Sequence, residues 1–341
     1  AETPINKDAP REQPVKSTVI PQYISFDTFF KSTQKPQICE YIFKREFGKG
    51  AMSCVYQVEK ADTHDIYAAK VYNLVQLNKH KLKVGERPIN QVDKEIDIMV
   101  SLSHRYLLFL VEAIEDDATQ SLILIMPFAT NGNVQDMLDN RKMTMQMKQV
   151  CFHQIAVGLQ YMHSEDVVHR DIKNENFLSF EDDYYLLSDF SVSQRLDSPD
   201  QLLDDTKGSP AFLSPEECSG ENFKPKPADV WAYGISLYLA LYYTLPFKLG
   251  ESNGNTIANS VLSVTTRLEE EELTFPENDE VDPFAEDLLR GCLEKDPEKR
   301  LTFEEIPKHP FFRDVWIFDE MRAKNDLFEE EEELNNAEHS N

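Results

Sequence analysis

Residues 169–176 read His-Arg-Asp-Ile-Lys-Asn-Glu-Asn, and the triplet Ser-Asp-Phe follows at 188–190. Two aspartates and an asparagine at these intervals suit a site that moves a phosphoryl group from Mg-ATP to a hydroxyl. In such a site Asp171 accepts the hydroxyl proton, while Asn176 and Asp189 hold the metal ions. The alternative is a charged loop between two core elements, so the other parts of the site must occur in the right order along the chain.

The chain has 341 residues, enough for a sizeable core and for two lobes or domains. Its formal net charge of −26 argues against nucleic acid and anionic membrane as partners, because phosphate groups are bound by clustered Lys and Arg. Basic protein partners are compatible with this charge. The longest strongly apolar stretch, 235–245, is too short to cross a bilayer, and no secretory signal pattern is visible. We therefore expect no membrane insertion.

The five cysteines show no C-x-x-C spacing. An odd number with these intervals argues against a disulfide framework or a zinc site and for a reducing compartment. We expect buried structural thiols and a cytoplasmic location, with the nucleus also open.

The hydrophobic pattern divides the chain into three parts. Residues 1–40 contain several prolines and little periodicity, which indicates an irregular extension. The next part predicts mostly antiparallel strands and one main helix, with strands at 41–47, 55–59, 66–72, 107–115 and 121–126 and the helix at 92–103. After Asn131-Gly132 the chain is mainly helical, with helices predicted at 147–163, 228–243 and 284–293. These patterns predict an α+β fold of two lobes, followed by an acidic tail.

A glycine-containing turn lies between the first two predicted strands, where residues 48–55 read Gly-Lys-Gly-Ala-Met-Ser-Cys-Val. Glycine lets backbone N–H groups approach the phosphates of a nucleotide. Ser53 occupies the place of the third glycine in G-x-G-x-x-G; it adds a Cβ but keeps its N–H. Taken alone, the turn fits a plain hairpin equally well.

Lys70 closes the run Tyr-Ala-Ala-Lys in the third predicted strand, between apolar neighbours that make a surface position unfavourable. We predict that Lys70 binds the α- and β-phosphates and that Glu95, on the following helix, orients it. Taken alone, Glu95 also fits an ordinary helix-face glutamate.

Together these parts make the sequence similar to a eukaryotic protein kinase from about residue 41 to about residue 313, about four-fifths of the chain. Further motifs of that family follow in order: Asp189-Phe190-Ser191, Ser214-Pro215-Glu216, Asp229-Val230-Trp231-Ala232-Tyr233-Gly234 and Asp296-Pro297-Glu298-Lys299-Arg300. The resemblance implies an N-lobe at about 41–126, a hinge at about 127–131 and a C-lobe at about 132–313. Residues 1–40 then precede the domain, and 314–341 form the acidic tail.

The resemblance implies ATP and Mg²⁺ as cofactors. It makes Met126 the gatekeeper of the adenine pocket, with the adenine bonded to the carbonyl of Pro127 and the N–H of Ala129. Pro127 lacks an N–H, but only its carbonyl is needed there. The residues implied to contact the nucleotide or its metal are Gly48, Lys49, Gly50, Ala51, Met52, Ser53, Val55, Ala68, Lys70, Met126, Pro127, Ala129, Asn133, Glu175, Asn176, Leu178 and Asp189.

Lys173 bears on the substrate. In kinases with this motif the lysine contacts the transferred phosphate and marks Ser/Thr rather than Tyr kinases, so the resemblance implies transfer to Ser or Thr of a protein. Ser209 stands where such kinases carry a threonine bonded to the catalytic aspartate. Glu216 is implied to pair with Arg300, and Asp229 to brace the catalytic loop.

Two further residues depart from the family pattern. Ser191 replaces the glycine of Asp-Phe-Gly, which restricts backbone rotation after the metal-binding aspartate. Ser214 replaces the alanine of Ala-Pro-Glu. Neither change removes a group that does chemistry, which disfavours the alternative of a pseudokinase scaffold. The peptide-binding-lobe motifs disfavour a small-molecule kinase.

Short stretches around Lys70–Glu95, Asp189 and Gly208 are similar to upstream kinases of the CaMK group, the calmodulin-dependent protein kinase kinases and the liver kinases that activate AMP-activated (SNF1-type) kinases. This implies another protein kinase as the substrate; a CaMK-group kinase with other substrates is the alternative. Calmodulin binding is not supported, because a calmodulin target is a basic amphipathic helix and the tail contains five consecutive glutamates, 329–333.

Arg170 raises the question of activation, since in many kinases this arginine pairs with a phosphate on the activation loop. Counting back from Gly208, the usual phosphothreonine position holds Asp205. Our hypothesis is that Asp205 supplies a fixed negative charge to Arg170. The alternative is a solvated acidic turn with Thr206 as the phosphorylated switch.

Overall fold

The computed structural model describes residues 24–50, 53–79, 88–181, 183–247, 271–278 and 281–315. Six antiparallel strands form one sheet in the order β1-β2-β3-β4-β6-β5, and mainly helical structure follows. The α+β prediction is therefore confirmed. The strands are β1 Gln37–Ile38, β2 Tyr41–Lys49, β3 Ser53–Lys60, β4 Ile66–Asn73, β5 Glu112–Asp116 and β6 Ser121–Pro127.

The register of the sheet determines where its functional side chains lie. In β4, Ala69 and Val71 are buried in an apolar cluster on one face of the sheet. Because side chains alternate along a strand, Lys70 projects from the other face. Lys70 pairs in register with Val55 on β3 and with Leu124 on β6, so it lies in the middle of the sheet.

Two helices, α2 (Leu74–Lys79) and α3 (Pro88–Ser101), follow β4. The α3 helix begins earlier than predicted, with Pro88 at a first-turn position that tolerates a residue without an N–H. Its buried side includes Val92, Glu95 and Met99, which are spaced three and four residues apart. This spacing places the glutamate on the side of α3 that packs against the rest of the protein.

The helical lobe is built around one large apolar core to which Phe152, Trp231 and Leu288 belong. Thr144 begins the longest helix by accepting the Met147 N–H through its side-chain oxygen at 3.2 Å, as an N-cap does. The helices of this lobe are α4 Val134–Asp139, α5 Met145–Ser164, α6 Pro215–Cys218, α7 Pro225–Tyr242 and α8 Pro283–Cys292.

Four short strands flank the motif at residues 169–176. β7 (Val167–Val168) pairs with β10 (Gln194–Arg195), and β8 (Phe177–Ser179) pairs with β9 (Tyr185–Leu187). Residues 169–176 therefore form the connection from β7 to β8, and Asp189 comes two residues after β9.

The prediction of an irregular extension is wrong for its last part. Helix α1 (Phe26–Ser32) is capped by Ser25, and Phe26 is buried against Phe43 and Tyr56, with ring centroids 4.9 and 5.1 Å apart. These contacts cover the apolar face of the sheet opposite Lys70. The sequence pattern missed the helix because its stability comes from this tertiary packing rather than from its length. Residues 1–23 lie outside the described residues.

The predicted strand at 107–115 begins five residues too early. Leu107 forms an isolated parallel bridge to Leu187, and the Leu108 N–H donates to the Leu187 carbonyl at 2.8 Å. Both leucines are buried in the core of the helical lobe, which explains why an apolar run here does not continue the sheet. The acidic tail falls outside the described residues, apart from 314–315. No helix in the described part of the chain is long and apolar enough to span a membrane.

Candidate active site

Asp171 is the centre of a hydrogen-bonded cluster on the β7–β8 connection. Its Oδ2 accepts from Lys173 Nζ at 2.6 Å and from Asn176 Nδ2 at 3.2 Å, and its Oδ1 accepts from Ser209 Oγ at 3.2 Å. Lys173 Nζ also donates to Ser209 Oγ at 3.1 Å. The structure thus brings together the carboxylate predicted to act on the acceptor hydroxyl and the lysine predicted to contact the transferred phosphate.

The buried carboxylate of Asp229, on α7, fixes the backbone before Asp171. It accepts the His169 and Arg170 N–H groups, each at 2.8 Å, and lies 2.9 Å from Nε2 of His163. Burial alone raises the pKa of Asp229, but the hydrogen bond and charge of His163, together with His169 and the Arg170 N–H, outweigh burial, so the pKa lies below its usual value. This arrangement confirms the predicted bracing contact, and it holds Arg170 at a φ of 69°.

His169 links the catalytic segment to the segment after β9. Its Nε2 lies 3.0 Å from the Ser188 carbonyl oxygen, which only accepts, so Nε2 carries a proton. Its Nδ1 accepts the Asp171 N–H at 3.3 Å. The imidazole therefore couples the positions of Asp171 and Asp189.

Lys70 forms the predicted pair with Glu95 and also reaches the C-lobe. Its Nζ lies 2.7 Å from Glu95 Oε1 and 3.3 Å from Asp189 Oδ1. Tyr72 was not predicted as a site residue, but its hydroxyl donates to Glu95 Oε2 at 2.6 Å. Tyr72 lies on the same face of β4 as Lys70, and this period-two spacing is the signal that sequence reasoning missed.

The charges of this cluster stabilise each other. Burial opposes the charge of the Lys70 ammonium, but Glu95 and Asp189 overcome this effect and raise its pKa. Burial also opposes the charge of Asp189; Lys70 and then Ser191 outweigh it, so the pKa of Asp189 is lowered. Burial, supported by Glu95, raises the pKa of Tyr72. The lysine and the aspartate are therefore charged at neutral pH.

Ser191 does not prevent Asp189 from facing the cleft. Asp189 has a φ of 64°, and Phe190 is buried with its ring centroid 5.6 Å from that of His169. The Ser191 hydroxyl stabilises the ionised form of Asp189, which glycine cannot do. The residue that departs from the family motif thus supports the neighbouring carboxylate.

Asn176 and Asp189 fit the requirements of a magnesium site. The Asn176 Nδ2 donates to Asp171, which turns its Oδ1 the other way, and Asp189 is ionised. Carboxylate and amide oxygens are the protein ligands that Mg²⁺ prefers, together with nucleotide phosphates. Within the described ranges, no three His, Cys, Asp or Glu side chains converge as a metal cage, so these two residues would share the ion with the nucleotide.

The sheet brings the predicted adenine contacts together. Ala68 pairs in register with Met126, and Tyr67 with Pro127. Val55 lies on the neighbouring strand, and Leu178 on β8 bridges to residue 133 below the hinge. The Ala129 carbonyl accepts the Gly132 N–H at 3.2 Å, and the adenine contact of its own N–H stays a prediction.

The predicted phosphate loop is a β-hairpin. Gly48 pairs with Val55 and Lys49 with Cys54, and the Gly50 N–H donates to the Ser53 carbonyl at 2.7 Å. The structure confirms that this turn connects β2 and β3 at the end of the sheet. The predicted contacts of Ala51 and Met52 lie outside the described residues.

Two predicted nucleotide contacts have other surroundings. The Asn133 side chain caps α4: its Oδ1 accepts the Asp136 N–H at 2.8 Å and its Nδ2 donates to Asp136 Oδ2 at 2.8 Å. Glu175 is exposed in the 3-10 turn Asn174–Asn176. Their roles in nucleotide binding stay predictions.

The structure confirms the predicted contact between Arg170 and Asp205. Arg170 Nη2 lies 2.7 Å from Asp205 Oδ1, and Lys207 Nζ lies 3.5 Å from Asp205 Oδ2. Burial raises the pKa of Asp205, but the Arg170 hydrogen bond and charge lower it below its usual value overall. Arg170 Nη1 donates to Gln194 at 2.8 Å, whereas the exposed Thr206 donates to the Glu217 carbonyl at 3.1 Å.

Glycine is required at position 208, where the activation loop crosses the catalytic loop of residues 169–176. Its φ is +85°, and a Cβ there would lie 2.5 Å from the Arg170 carbonyl oxygen and 3.3 Å from Asp171 Oδ1. A larger residue would therefore displace the segment that carries Ser209.

The end of the activation segment is anchored by two carboxylates. Glu216 and the buried Arg300 form the predicted pair, with nitrogen–oxygen distances of 2.5 and 2.9 Å. Glu217, which sequence reasoning missed, completes a capping box with Ser214, whose N–H and Oγ each donate to Glu217 Oε2 at 2.9 Å. Burial raises the pKa of Glu217 to about 7. The Ser-x-x-Glu spacing was the available signal.

This fold and this site define a protein kinase: a lysine–glutamate pair under a small sheet faces an aspartate–asparagine loop on a helical lobe. Residues 41–312 match the family model described as the protein kinase domain. The chain belongs to the protein kinase family, as the motifs indicated.

The curated relatives carry kinase names. A probable serine/threonine-protein kinase of Dictyostelium discoideum is 32% identical over 79% of this chain and 37% of its own length. The calcium/calmodulin-dependent protein kinase kinase of Caenorhabditis elegans is 27% identical over 84% of this chain and 55% of its own. Serine/threonine-protein kinase GRIK2 of Arabidopsis thaliana is 28% identical over 80% of this chain and 65% of its own. The chain thus spans about a third to two-thirds of the length of these relatives.

Proposed function

We propose that this chain transfers the γ-phosphate of ATP to a Ser or Thr in the activation loop of another protein kinase. The observation that carries transfer to Ser or Thr is the cluster in which Lys173 and Ser209 both bond the Asp171 carboxylate. A lysine two residues after the aspartate is the feature that marks transfer to an aliphatic hydroxyl.

Each side chain has one role in this proposal. Asp171 orients the acceptor hydroxyl and takes its proton, and Lys173 stabilises the charge on the transferred phosphate. Lys70 holds the α- and β-phosphates, and Glu95 holds Lys70. Asn176 and Asp189 would hold Mg²⁺, which would neutralise phosphate charge.

The geometry favours an active enzyme over a pseudokinase scaffold. A scaffold has no need for a charged Lys70, for the Asp171 cluster or for an ionised Asp189, and all three are present. Because phosphoryl transfer depends on positioning and charge rather than on covalent chemistry, their joint placement supports turnover.

The finer proposal, an upstream kinase, is supported by the name of the Caenorhabditis elegans relative, which describes a kinase of kinases. The test is incubation of the protein with labelled ATP, magnesium and a catalytically dead SNF1-type kinase, followed by mapping of the modified residue. Modification of an activation-loop Thr, lost with Asp171→Asn, supports the proposal. If general peptides are phosphorylated but the intact kinase is not, the Ser/Thr kinase activity is supported and the proposed substrate is refuted.

We further propose that Asp205 replaces a loop phosphate as the partner of Arg170, so that activity does not depend on phosphorylation of Thr206. The support is the 2.7 Å contact between Arg170 and Asp205. A single carboxylate is a weaker partner than a phosphate, which carries about −1.5 to −2 charges. Arg170 therefore also uses Gln194.

The location and the control of the protein are proposals as well. We propose a cytoplasmic or nuclear location, in line with the cysteine pattern. We also propose that the described helices do not bind calmodulin, because they include no basic amphipathic segment of the kind that calmodulin binds. Calcium-dependent retention of the chain on immobilised calmodulin would contradict the second part.

A further inference from the structure

Arg141 and Lys148 lie against the same aromatic ring, that of Tyr243, in the helical lobe. The Arg141 Cζ is 3.3 Å from the ring centroid, and the Lys148 Nζ is 4.6 Å from it. Lys148 also donates to the Tyr243 phenol oxygen at 3.1 Å. None of the three residues belongs to the candidate active site, so this cluster needs its own explanation.

Within the part of the chain that the structure describes, the positive charge of this cluster is not balanced. Lys148 is only 5% exposed, and across the described ranges no carboxylate pairs with Lys148 or Arg141. Lys148 also lies in the first turn of α5, which contains no acidic residue and presents the positive end of the helix dipole. Burying an ammonium group without a counter-charge is unfavourable, and here two further positive sources adjoin it.

The backbone of the cluster is strained as well. Tyr243 ends α7 in the left-handed region, with φ 58° and ψ 24°, and Arg141 has a φ of 53°. Glycine or asparagine usually occupies such a helix end, because a Cβ is unfavourable there. Left-handed non-glycine residues concentrate at ligand clamps, where the side chain has a task that outweighs the strain.

The side chains of the cluster have donors to spare. Among the described residues, the Lys148 ammonium uses one of its three N–H groups on the phenol oxygen, so the phenol hydrogen points elsewhere. The Arg141 guanidinium lies over the ring and also hydrogen-bonds the Tyr243 side chain, but with five N–H groups it keeps donors for a further partner. Burial acts in the opposite direction, but Lys148 and Arg141 overcome it and lower the pKa of Tyr243, which shows a positive potential at the hydroxyl. A ligand that fits must be anionic and rich in acceptor oxygens.

We propose that Arg141, Lys148 and the Tyr243 hydroxyl form a binding site for a phosphate group, carried by inorganic phosphate or by a phosphorylated Ser or Thr of a bound protein. A phosphate monoester carries about −1.5 to −2 charges and so balances both cations, whereas one carboxylate balances one. Its three acceptor oxygens match the three donor groups, and Arg and Lys form charge-assisted hydrogen bonds to phosphate.

The test measures phosphate affinity by calorimetry and by thermal melting of the full chain. Ionic strength is held constant with chloride, and a non-hydrolysable ATP analogue saturates the cleft. Arg141→Gln and Tyr243→Phe change the cluster without emptying the core, Lys148→Met removes the buried charge, and Lys142→Gln is the matched control for an exposed neighbouring cation. We expect Arg141→Gln and Lys148→Met each to weaken phosphate binding about tenfold or more, Tyr243→Phe to weaken it less, and Lys142→Gln to leave it unchanged.

Two results overturn the proposal: phosphate affinity unchanged in Arg141→Gln, or the same loss in Lys142→Gln, which means general attraction to positive charge. A separate comparison distinguishes the source of the phosphate. A phosphoserine peptide that binds at least about tenfold more tightly than inorganic phosphate indicates a protein partner, and equal affinities indicate the free ion; both support the site.

Discussion

At the scale of single residues, Asp171 tests the chemistry most directly. Asp171→Asn keeps the shape and one acceptor oxygen but cannot take a proton. We expect kcat to fall by about 10²–10⁴, the usual contribution of general base catalysis, while the affinity for ATP changes little. Turnover of a peptide substrate and calorimetry with ATP measure the two effects, with the exposed Asp136→Asn as a control. Full turnover in Asp171→Asn would remove Asp171 from the mechanism.

Asp205 and Thr206 separate the two modes of activation. Asp205→Asn removes the charge facing the buried Arg170, so we expect kcat/KM to fall by about tenfold, since a charged hydrogen bond contributes about 1.5–3 kcal/mol. Thr206→Ala and phosphatase treatment should leave the rate close to that of the wild type. Loss of most activity on phosphatase treatment, reproduced by Thr206→Ala, contradicts the fixed-charge proposal.

The residues that do chemistry were predictable because the spacing of each motif implies a local geometry. His169 to Asn176 form one turn-containing connection, and a lysine in the middle of a strand has few places to lie. Tyr72 was missed because its bond to Glu95 depends on how α3 packs on the sheet. The capping role of Asn133 likewise depends on where α4 begins, which sequence patterns locate only to within a few residues.

At the scale of elements, the capping box of α6 predicts a pH effect. The folded-state pKa of Glu217 is raised to about 7 from 4.5, so the folded protein binds its proton more tightly than the unfolded chain does. Glu217 therefore makes the protein less stable as pH rises from about 4.5 to about 7, and the loss persists above this range. Glu217→Gln keeps an acceptor oxygen for Ser214, but its amide does not ionise in this pH range.

We expect Glu217→Gln to melt at a higher temperature than the wild type at pH 8, by the equivalent of about 3 kcal/mol, and at nearly the same temperature at pH 5. Thermal melting at both pH values measures the difference, and the exposed Glu221→Gln serves as the charge-matched control. An equal gain at both pH values contradicts the assignment.

Helix α1 predicts a second effect at this scale. Phe26 is 5% exposed and contacts two rings of the sheet, so Phe26→Ala removes a large buried side chain. We expect the free energy of unfolding to fall by about 3–5 kcal/mol in denaturant titrations, against little change for the exposed Lys31→Ala. A loss no larger than that of Lys31→Ala would show that α1 does not stabilise the sheet.

The strands and long helices were predictable because their periodicity reflects burial on one face. Helix α1 and the segment at 107–111 were not. The first has only seven residues, and in the second Leu107 and Leu108 are buried in the core of the helical lobe rather than in the sheet. Both errors concern contacts between elements that are distant in sequence, which a local pattern does not contain.

At the scale of the whole molecule, the cleft joins groups from both lobes: Lys70 and Glu95 from one, Asp189 and Asn176 from the other. A ligand that bridges them stabilises the folded chain. A non-hydrolysable ATP analogue with Mg²⁺ at about 100 times its Kd should add about 2.7 kcal/mol to the free energy of unfolding. Chelation of the metal should remove most of this gain, and Asp189→Asn should abolish the metal-dependent part. Equal stabilisation with and without Mg²⁺ contradicts the assigned metal ligands.

The contact between Arg170 and Asp205 has a consequence for signalling in time. A phosphate on a loop is removed by a phosphatase, so a kinase that depends on it stays active after a stimulus only until it is dephosphorylated. A carboxylate in the same position is encoded in the sequence, so its charge is present as soon as the chain folds and no phosphatase removes it. The duration of a signal from such an enzyme is set by how fast the enzyme is synthesised and degraded and by its access to its substrate protein.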